Sequence, residues 1–235
     1  MIRGLQDKKQ RQKYDQFIVE GEKSITELLT SKFTVIGLYA LPEWIRDNQQ
    51  ALKGVKCEEI SPEELKQISS HQAPQKVLAL VKIPLPARAK GGEDFILALD
   101  SVQDPGNLGA IIRIADWYGI RQVICNKGCT DPYSPKCINS TMGSFTRVEI
   151  VFGDIVEIAQ DLSLPLISAT LEGKDIHAPG KPGSGIVVIG NEGHGIHETI
   201  IQASEHKVSI PRFGGAESLN AAISTAIILD NLVRG

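Results

Sequence analysis

From residue 95 onward, short apolar runs recur between segments whose apolar residues fall at helical spacing, and this alternation limits the possible folds more than any other feature of the chain. The runs are FILALD (95–100), QVIC (122–125), RVEIV (147–151), LPLISAT (164–170), GIVVIG (185–190) and KVSI (207–210). Continuous apolar runs of four to eight residues, unlike an in/out alternation, mark strands covered on both faces, which is the habit of parallel sheets with helices packed above and below. Helices are expected from the DPGN turn to about Tyr118, around 138–143, over 154–162, after the glycine-rich turn that follows GIVVIG, and from near Ser218 to the end. The implied fold is α/β with a parallel sheet, and ligands of such sheets bind beyond the carboxyl ends of the strands.

The first 83 residues alternate in shorter units. An apolar run at 17–19 leads into a helix with Ile25, Leu28 and Leu29 on one face, followed by a buried strand at 33–40 and a helical stretch within 41–54. SPEELKQIS reads as a capped helix, with Ser61 as N-cap, Pro62 where a missing N–H costs nothing, and Glu64 placed to close a capping box. A strand at 77–83 completes a small α/β unit. Residues 84–94, PLPARAKGGED, are rich in Pro, Gly and charge and read as a linker. The expected organisation is therefore a small α/β domain at 1–83, a linker at 84–94 and a larger α/β domain at 95–235.

Charge separates the two parts. The chain has 235 residues and a formal net charge of −3; residues 1–90 hold 15 Lys and Arg against 11 Asp and Glu, and the remainder holds 10 against 17. The positive part is the better candidate for touching nucleic acid, with Arg3, Lys8, Lys9, Arg11 and Lys13 as a phosphate-binding strip. No apolar run approaches the roughly 20 residues that span a bilayer, and the N-terminus lacks the apolar core of a secretory signal, so a cytoplasmic protein without membrane contact is expected. Cys57, Cys125, Cys129 and Cys137 form no Cys-x-x-Cys and read as free thiols. His194 and His197 lack a third ligand, so no metal is expected.

Three segments place chemistry at strand ends. In LDSVQDPGNLGAIIRIADWYG (99–119), Asp104 or Asn107 can cap a helix in which Arg113 lies two turns along. Taken alone, Arg113 reads equally as a solvated helix residue, and the absence of G-x-G-x-x-G excludes a dinucleotide fingerprint. In VVIGNEGHGI (187–196), a buried strand runs into a glycine-rich turn whose one acid is Glu192, and glycines there let backbone approach a ligand. In SIPRFGGAESLNAAISTAIILDNLV (209–233), Ser218 reads as the cap of an apolar helix rich in small residues. By themselves, Ser218 and Asn220 are explained by capping alone.

The order of the three segments is more specific than any one of them. D-x-V-x-D-P-x-N-x-G-x-x-x-R, then G-N-E-G-x-G, then I-P-x-x-G-x-x-S-L-N before an apolar helix resembles the signature motifs of the SpoU (TrmH-type) family of RNA 2′-O-ribose methyltransferases within the SPOUT class. The resemblance covers roughly residues 95–233. The stretch FIVEGEKSITELL is more weakly similar to the family's substrate-binding domain. The resemblance implies a deep trefoil knot, an exception to the rule of unknotted chains, with S-adenosylmethionine as cofactor and a homodimer that acts on ribosomal or transfer RNA. By position it implies cofactor contacts at Gly190, Ile210 and Leu219, with Thr170 and Asn191 nearby, and a catalytic set of Asn107, Arg113, Glu192, Ser218 and Asn220. The chain departs from the pattern at Arg212, which follows Pro211, and at Ala221–Ala222–Ile223.

Methyl transfer to a ribose hydroxyl needs alignment and a route for one proton. A guanidinium loses its proton only above about pH 12, which makes Arg113 a poor base and favours phosphate binding and stabilisation of developing alkoxide charge. Two rival readings stand beside this one: a base methyltransferase of the same class, and a non-catalytic RNA-binding protein.

Overall fold

A computed structural model of the chain describes residues 1–92 and 94–234; Glu93, in the expected linker, and Gly235, the last residue of the expected second domain, lie outside the described residues. The chain divides into two compact units, Met1–Leu85 with Asp131–Thr146, and Pro86–Thr130 with Arg147–Gly235. The expected division followed the chain with one boundary at 84–94. The observed one instead takes a stretch from inside the expected second domain into the first unit.

The first unit opens with a 3-10 turn at Ile2–Gln6 and continues through α1 (Lys8–Tyr14), β1 (Gln16–Glu20), α2 (Glu22–Leu29), β2 (Val35–Ala40), α3 (Pro42–Asp47), β3 (Cys57–Glu59), α4 (Pro62–Ile68) and β4 (Val77–Lys82). The later stretch adds the helix Pro135–Thr141, which is α6 in chain order, and a 3-10 turn at Ser144–Thr146. The sheet order is β1-β4-β2-β3, antiparallel except where β2 meets β3. Phe17, Val19, Leu38, Ala40, Val77, Ala79 and Val81 share one core with Ile25, Trp44, Ile138 and Phe145, while Ile18, Leu78 and Leu80 share another with Leu5, Ile60 and Leu65. Both faces of the sheet are thus covered, so β4 is an unbroken apolar run. The capping box of α4 forms as expected, Ser61 N–H donating to Glu64 Oε2 at 2.8 Å and Glu64 N–H to Ser61 Oγ at 3.2 Å. The helix expected within 41–54 stops at Asp47, and the three-residue β3 was too short to leave a pattern.

The second unit consists of β5 (Phe95–Leu99), α5 (Pro105–Trp117), β6 (Gln122–Cys125), β7 (Glu149–Phe152), α7 (Ile155–Leu162), β8 (Leu166–Asp175), β9 (Gly185–Ile189), α8 (Glu198–Ala203), β10 (His206–Ser209) and α9 (Ala221–Val233). Its six strands run parallel in the order β10-β8-β9-β5-β6-β7. Ile96, Ala98, Ile124, Ile186 and Val188 pack beneath α7 and α8 through Ile155, Ala159, Ile196 and Ile200. Leu97, Leu99, Val123, Val187 and Ile189 are buried on the other face, where α5 and α9 pack against each other and against β6 and β9.

Helix starts follow the capping chemistry. Asp104 accepts from Asn107 N–H to begin α5 with Pro105 in its first turn, and Asp154 accepts from Val156 and Glu157 N–H to begin α7. The final helix begins one step later than expected: Asn220, not Ser218, is the cap of α9, its Oδ1 accepting from Ala222 N–H at 2.9 Å. An asparagine two residues past a serine offers the same short acceptor, so sequence alone does not choose between them.

Candidate active site

From β5 the chain winds outward through β6 to β7, then returns to the other side of β5 and fills β8, β9 and β10. The winding therefore reverses between β5 and β9, and the crevice past the carboxyl ends of those strands is where an open α/β sheet leaves room for a ligand. The loops that leave β5 and β9 are those that carry the first and second sequence motifs.

Asn107, in the first turn of α5, donates from Nδ2 to Glu192 Oε1 in the turn after β9. Its Oδ1 accepts from Asn220 Nδ2, at the cap of α9, at 2.8 Å. One residue from each motif thus meets in a single hydrogen-bonded chain, Asn220 to Asn107 to Glu192. Asn220 does double duty, since its amide nitrogen reaches Asn107 while its Oδ1 holds the start of α9. Asn107 and Glu192 are half-buried and Asn220 is exposed, so the chain of polar groups lies open at one end.

The glycine-rich turn is built by Asn191. Its Oδ1 accepts from Gly193 and His194 N–H at 2.8 and 3.2 Å, and its backbone exchanges two hydrogen bonds with Gly195. Gly190 cannot carry a side chain, because a Cβ there would strike the backbone of Gly195 and Ile196. That close approach, not freedom of φ, is what the glycine provides.

The residues expected at the cofactor lie on or just past three neighbouring strands in the order β10-β8-β9. Ile210 follows β10 and Gly190 follows β9, while Thr170 lies where β8 has left its pairing with β9 at Ser168. The Thr170 hydroxyl is buried with no hydrogen-bond partner among the described residues. An orphaned donor in a crevice lined by open strand ends fits a ligand that brings its own acceptors or donors. Leu219 is exposed, in the loop that precedes α9.

Two members of the expected catalytic set stay outside the hydrogen-bonded chain. Ser218 is exposed in that same loop, and Arg113 is exposed on α5. Arg113 enters no ion pair among the described residues.

One expected RNA contact is corrected. Arg11 is 3% exposed and its guanidinium is consumed inside the first unit: Nη1 donates to Leu5 O and Gln6 O at 2.7 and 2.8 Å, and Nε and Nη2 donate to Asp131 Oδ2 at 3.0 and 2.6 Å. Four of its five N–H donors are spent there, and its burial keeps the group away from an RNA phosphate. Arg3, Lys8, Lys9 and Lys13 are exposed, with Lys13 lying over the Tyr14 ring.

A second layer escaped the sequence reading, which weighed His197 only as a metal ligand. Asp100, at the end of β5, is fully buried and gathers donors from His197, Asn126 and Ser101. Close by, in the turn after β6, the Cys129 thiol is held below its ordinary value, chiefly by its hydrogen bond with Cys125. Among the described residues no cluster of three potential metal ligands occurs.

Comparison with known proteins matches residues 94–230 to the SpoU rRNA Methylase family and residues 1–79 to the MRM3-like substrate binding domain. The chain is similar to the 23S rRNA (guanosine(2553)-2′-O)-methyltransferase of Bacillus subtilis, 28% identical over 232 residues, covering 97% of this chain and 92% of that protein. To the 23S rRNA (uridine(2479)-2′-O)-methyltransferase of Streptomyces viridochromogenes it is 30% identical over 260 residues, covering 98% and 86%. The crystal structure of the SpoU methyltransferase AviRb from the same organism, in complex with AdoMet, superposes with a TM-score of 0.85 at 27% identity, covering 99% of this chain and 95% of that one.

Proposed function

Because the chain belongs to the SpoU rRNA methylase family, we propose that it transfers a methyl group from S-adenosylmethionine to a ribose 2′-hydroxyl of ribosomal RNA. The observation that carries this reading is the meeting of Asn107, Glu192 and Asn220, one from each motif, at the reversal point of a parallel sheet. Two relatives that span nearly the whole chain are named as 23S rRNA 2′-O-methyltransferases, which favours ribose over base and ribosomal over transfer RNA.

The cofactor, when bound, supplies an electrophilic methyl group on a sulfonium. Gly190, Ile210 and Leu219 would hold it largely through backbone groups, with Asn191 alongside and Thr170 offering the hydroxyl that has no other partner. The chain's own residues have two tasks. Asn107, Glu192 and Asn220 form a prearranged polar ledge that orients the ribose without rearranging, so positioning contributes much of the rate. Arg113, exposed and unpaired, binds the phosphate beside the target ribose and stabilises negative charge as the hydroxyl gives up its proton. Ser218, in the exposed loop before α9, completes the set when RNA is bound.

The reading extends to a homodimer. What supports it is the exposure of apolar side chains on the mutually packed helices α5 and α9, Trp117 at 83% with Ile223 and Val233 also exposed. It includes the trefoil knot, which a strand order with β10 outside β8 accommodates. It assigns RNA recognition to the first unit, with Arg3, Lys8, Lys9 and Lys13 as phosphate contacts, and it puts the enzyme in the cytoplasm with its RNA. No described helix is long and apolar enough to cross a membrane.

The test is to map 2′-O-methyl groups in ribosomal RNA from cells with and without the gene, then to offer the purified protein a substrate with one 2′-deoxy nucleotide at the mapped position. The deoxy substrate is expected to bind and to accept no methyl. Methylation of it would move the reaction to the base.

A further inference from the structure

We infer that Asp100 is a positioning residue for the proposed transfer: with Ser101 it fastens both ends of the turn that carries Asn191 and Glu192, and so sets where Glu192 meets Asn107. This rests on the functional reading above as far as catalysis is concerned. The fastening itself is a matter of geometry.

Asp100 lies at the carboxyl end of β5 with no exposed surface, an expensive place for a carboxylate unless it is fully hydrogen-bonded. It is. Oδ2 accepts from His197 N–H at 2.6 Å, and both oxygens lie 2.8 Å from His197 Nδ1. Oδ1 also accepts from Asn126 Nδ2 at 2.6 Å and from Ser101 Oγ–H at 3.1 Å. An ionised carboxylate only accepts, so the proton of the His197 ring belongs on Nδ1.

These partners sit at chosen places on the chain. Asp100 N–H donates to Ile189 O at 2.9 Å, just before the turn begins. Asn191 Nδ2 donates to Ser101 O at 2.9 Å, inside the turn, and His197 closes it at the far end. Two consecutive residues of one strand end therefore hold residues 189–197 at three points. Glu192 is suspended between the second and third of these points, and it is the Glu192 carboxylate that takes the hydrogen bond from Asn107.

Ser101 shows the same over-determination in its backbone. It is a non-glycine residue at φ 61°, in the left-handed region, a conformation that persists only where the surroundings enforce it. Its N–H donates to Asn126 Oδ1 at 3.0 Å, and its side chain fills the space beside Gly128, where a Cβ would strike it. The turn after β6 thus props the strand end from one side while the turn after β9 hangs from the other. The role differs from simple stabilisation because the cargo of the fastened turn is part of the proposed ledge.

Asp100→Asn tests this closely, because every group that faces the carboxylate is a donor and an amide must turn its own N–H₂ toward at least one of them. Two readouts are needed. Hydrogen exchange on the free protein is expected to show the His197 and Gly193 amides exchanging at least about tenfold faster, with β6 and β7 changed by less than about twofold. With ribosomal RNA from cells lacking the gene, kcat is expected to fall at least about tenfold while KM for RNA stays within about twofold. His197→Ala removes an exposed ring and leaves the fold intact. It is expected to move both readouts in the same direction by a smaller factor, and to add nothing on top of Asp100→Asn.

Unchanged protection of the turn, or unchanged kcat in a wild type that transfers methyl groups, overturns the inference. So does an Asp100→Asn variant that exchanges faster everywhere and keeps kcat per folded molecule. If Asp100→Asn does not fold, His197→Ala alone decides by the same two readouts. If the wild type methylates no RNA, the functional reading falls, and the exchange data still decide whether Asp100 holds the turn.

Discussion

The two units hold their polar side chains in opposite ways. In the first, the buried charged groups close on their neighbours, Arg11 on Asp131 and two carbonyls and Glu20 on Ser69 and Ser70, although Gln16 Oε1 stays buried without a hydrogen-bond partner among the described residues. In the second, polar groups crowd one end of the sheet, where Asn107, Glu192 and Asn220 form a chain open to solvent and the Thr170 hydroxyl has no partner among the described residues. The helices α1 and α5 repeat the contrast with one residue type, since Arg11 is buried and bound while Arg113 is exposed and joins no ion pair among the described residues. Polar groups satisfied internally hold a chain together. Those left open at strand ends are free to hold something else.

The sharpest way to break the comparison is Arg11→Met. If Arg11 is structural, the variant leaves Asp131 uncompensated in a largely buried place, and unfolding free energy should fall by about 3 kcal/mol. Denaturant titration measures this. Salt dependence of RNA binding by the folded variant should not change. A variant as stable as wild type with weakened RNA binding would return Arg11 to the phosphate-binding strip.

Arg113→Ala should do the reverse. Its side chain is exposed and joins no ion pair among the described residues, so melting and S-adenosylmethionine binding should stay near wild type. Methyl transfer should drop by at least about 100-fold, near 2.7 kcal/mol in the barrier. A loss below about tenfold would be too small for a residue that stabilises the reacting charge.

The two arginines also show what the sequence could and could not reveal. The strands of the second unit were legible because FILAL, QVIC and GIVVI are buried throughout, and a sheet covered on both faces demands unbroken apolar runs. Asn107, Glu192 and Asn220 were legible as motif members, although their meeting was not. Arg11 looks like any surface cation of a basic N-terminus, because its partner lies 120 residues away. Asp100 and His197 are 97 residues apart, and neither spacing nor composition links them. The helix at Pro135–Thr141 sits between two strands of the second unit, yet Ile138 and Phe145 complete the core of the first. Local patterns report burial and caps; they do not report which core a side chain joins.

A smaller effect sharpens the contrast within α1. Lys8, Lys9 and Lys13 are exposed beside the buried Arg11. Replacing the three by Ala should flatten the slope of log affinity against log salt by about 2 and weaken RNA binding about tenfold at moderate salt, roughly 1.4 kcal/mol. Stability should change little, since surface substitutions stay within about 0.5 kcal/mol. Filter binding of ribosomal RNA at several salt concentrations reads the slope, and an unchanged slope would remove α1 from the RNA-binding surface.

The smallest effect falls on the orphaned hydroxyl of the second unit, Thr170. Thr170→Val keeps the branched shape and removes a buried group that has no hydrogen-bond partner in the free protein. An unsatisfied buried hydroxyl is a net cost, so the free variant should be more stable than wild type by up to about 1 kcal/mol. If that hydroxyl serves the cofactor, the variant should also bind S-adenosylmethionine about three- to tenfold more weakly, equivalent to about 0.6–1.4 kcal/mol. The two changes oppose each other. Melting without ligand should rank Val above Thr, whereas at saturating S-adenosylmethionine the lead should shrink or reverse, because a tighter ligand stabilises the folded state more at the same concentration. Calorimetric titration and melting of the same preparations give both quantities. A free variant less stable than wild type, with cofactor affinity unchanged, would mean that the hydroxyl is satisfied within the fold and does not wait for the cofactor.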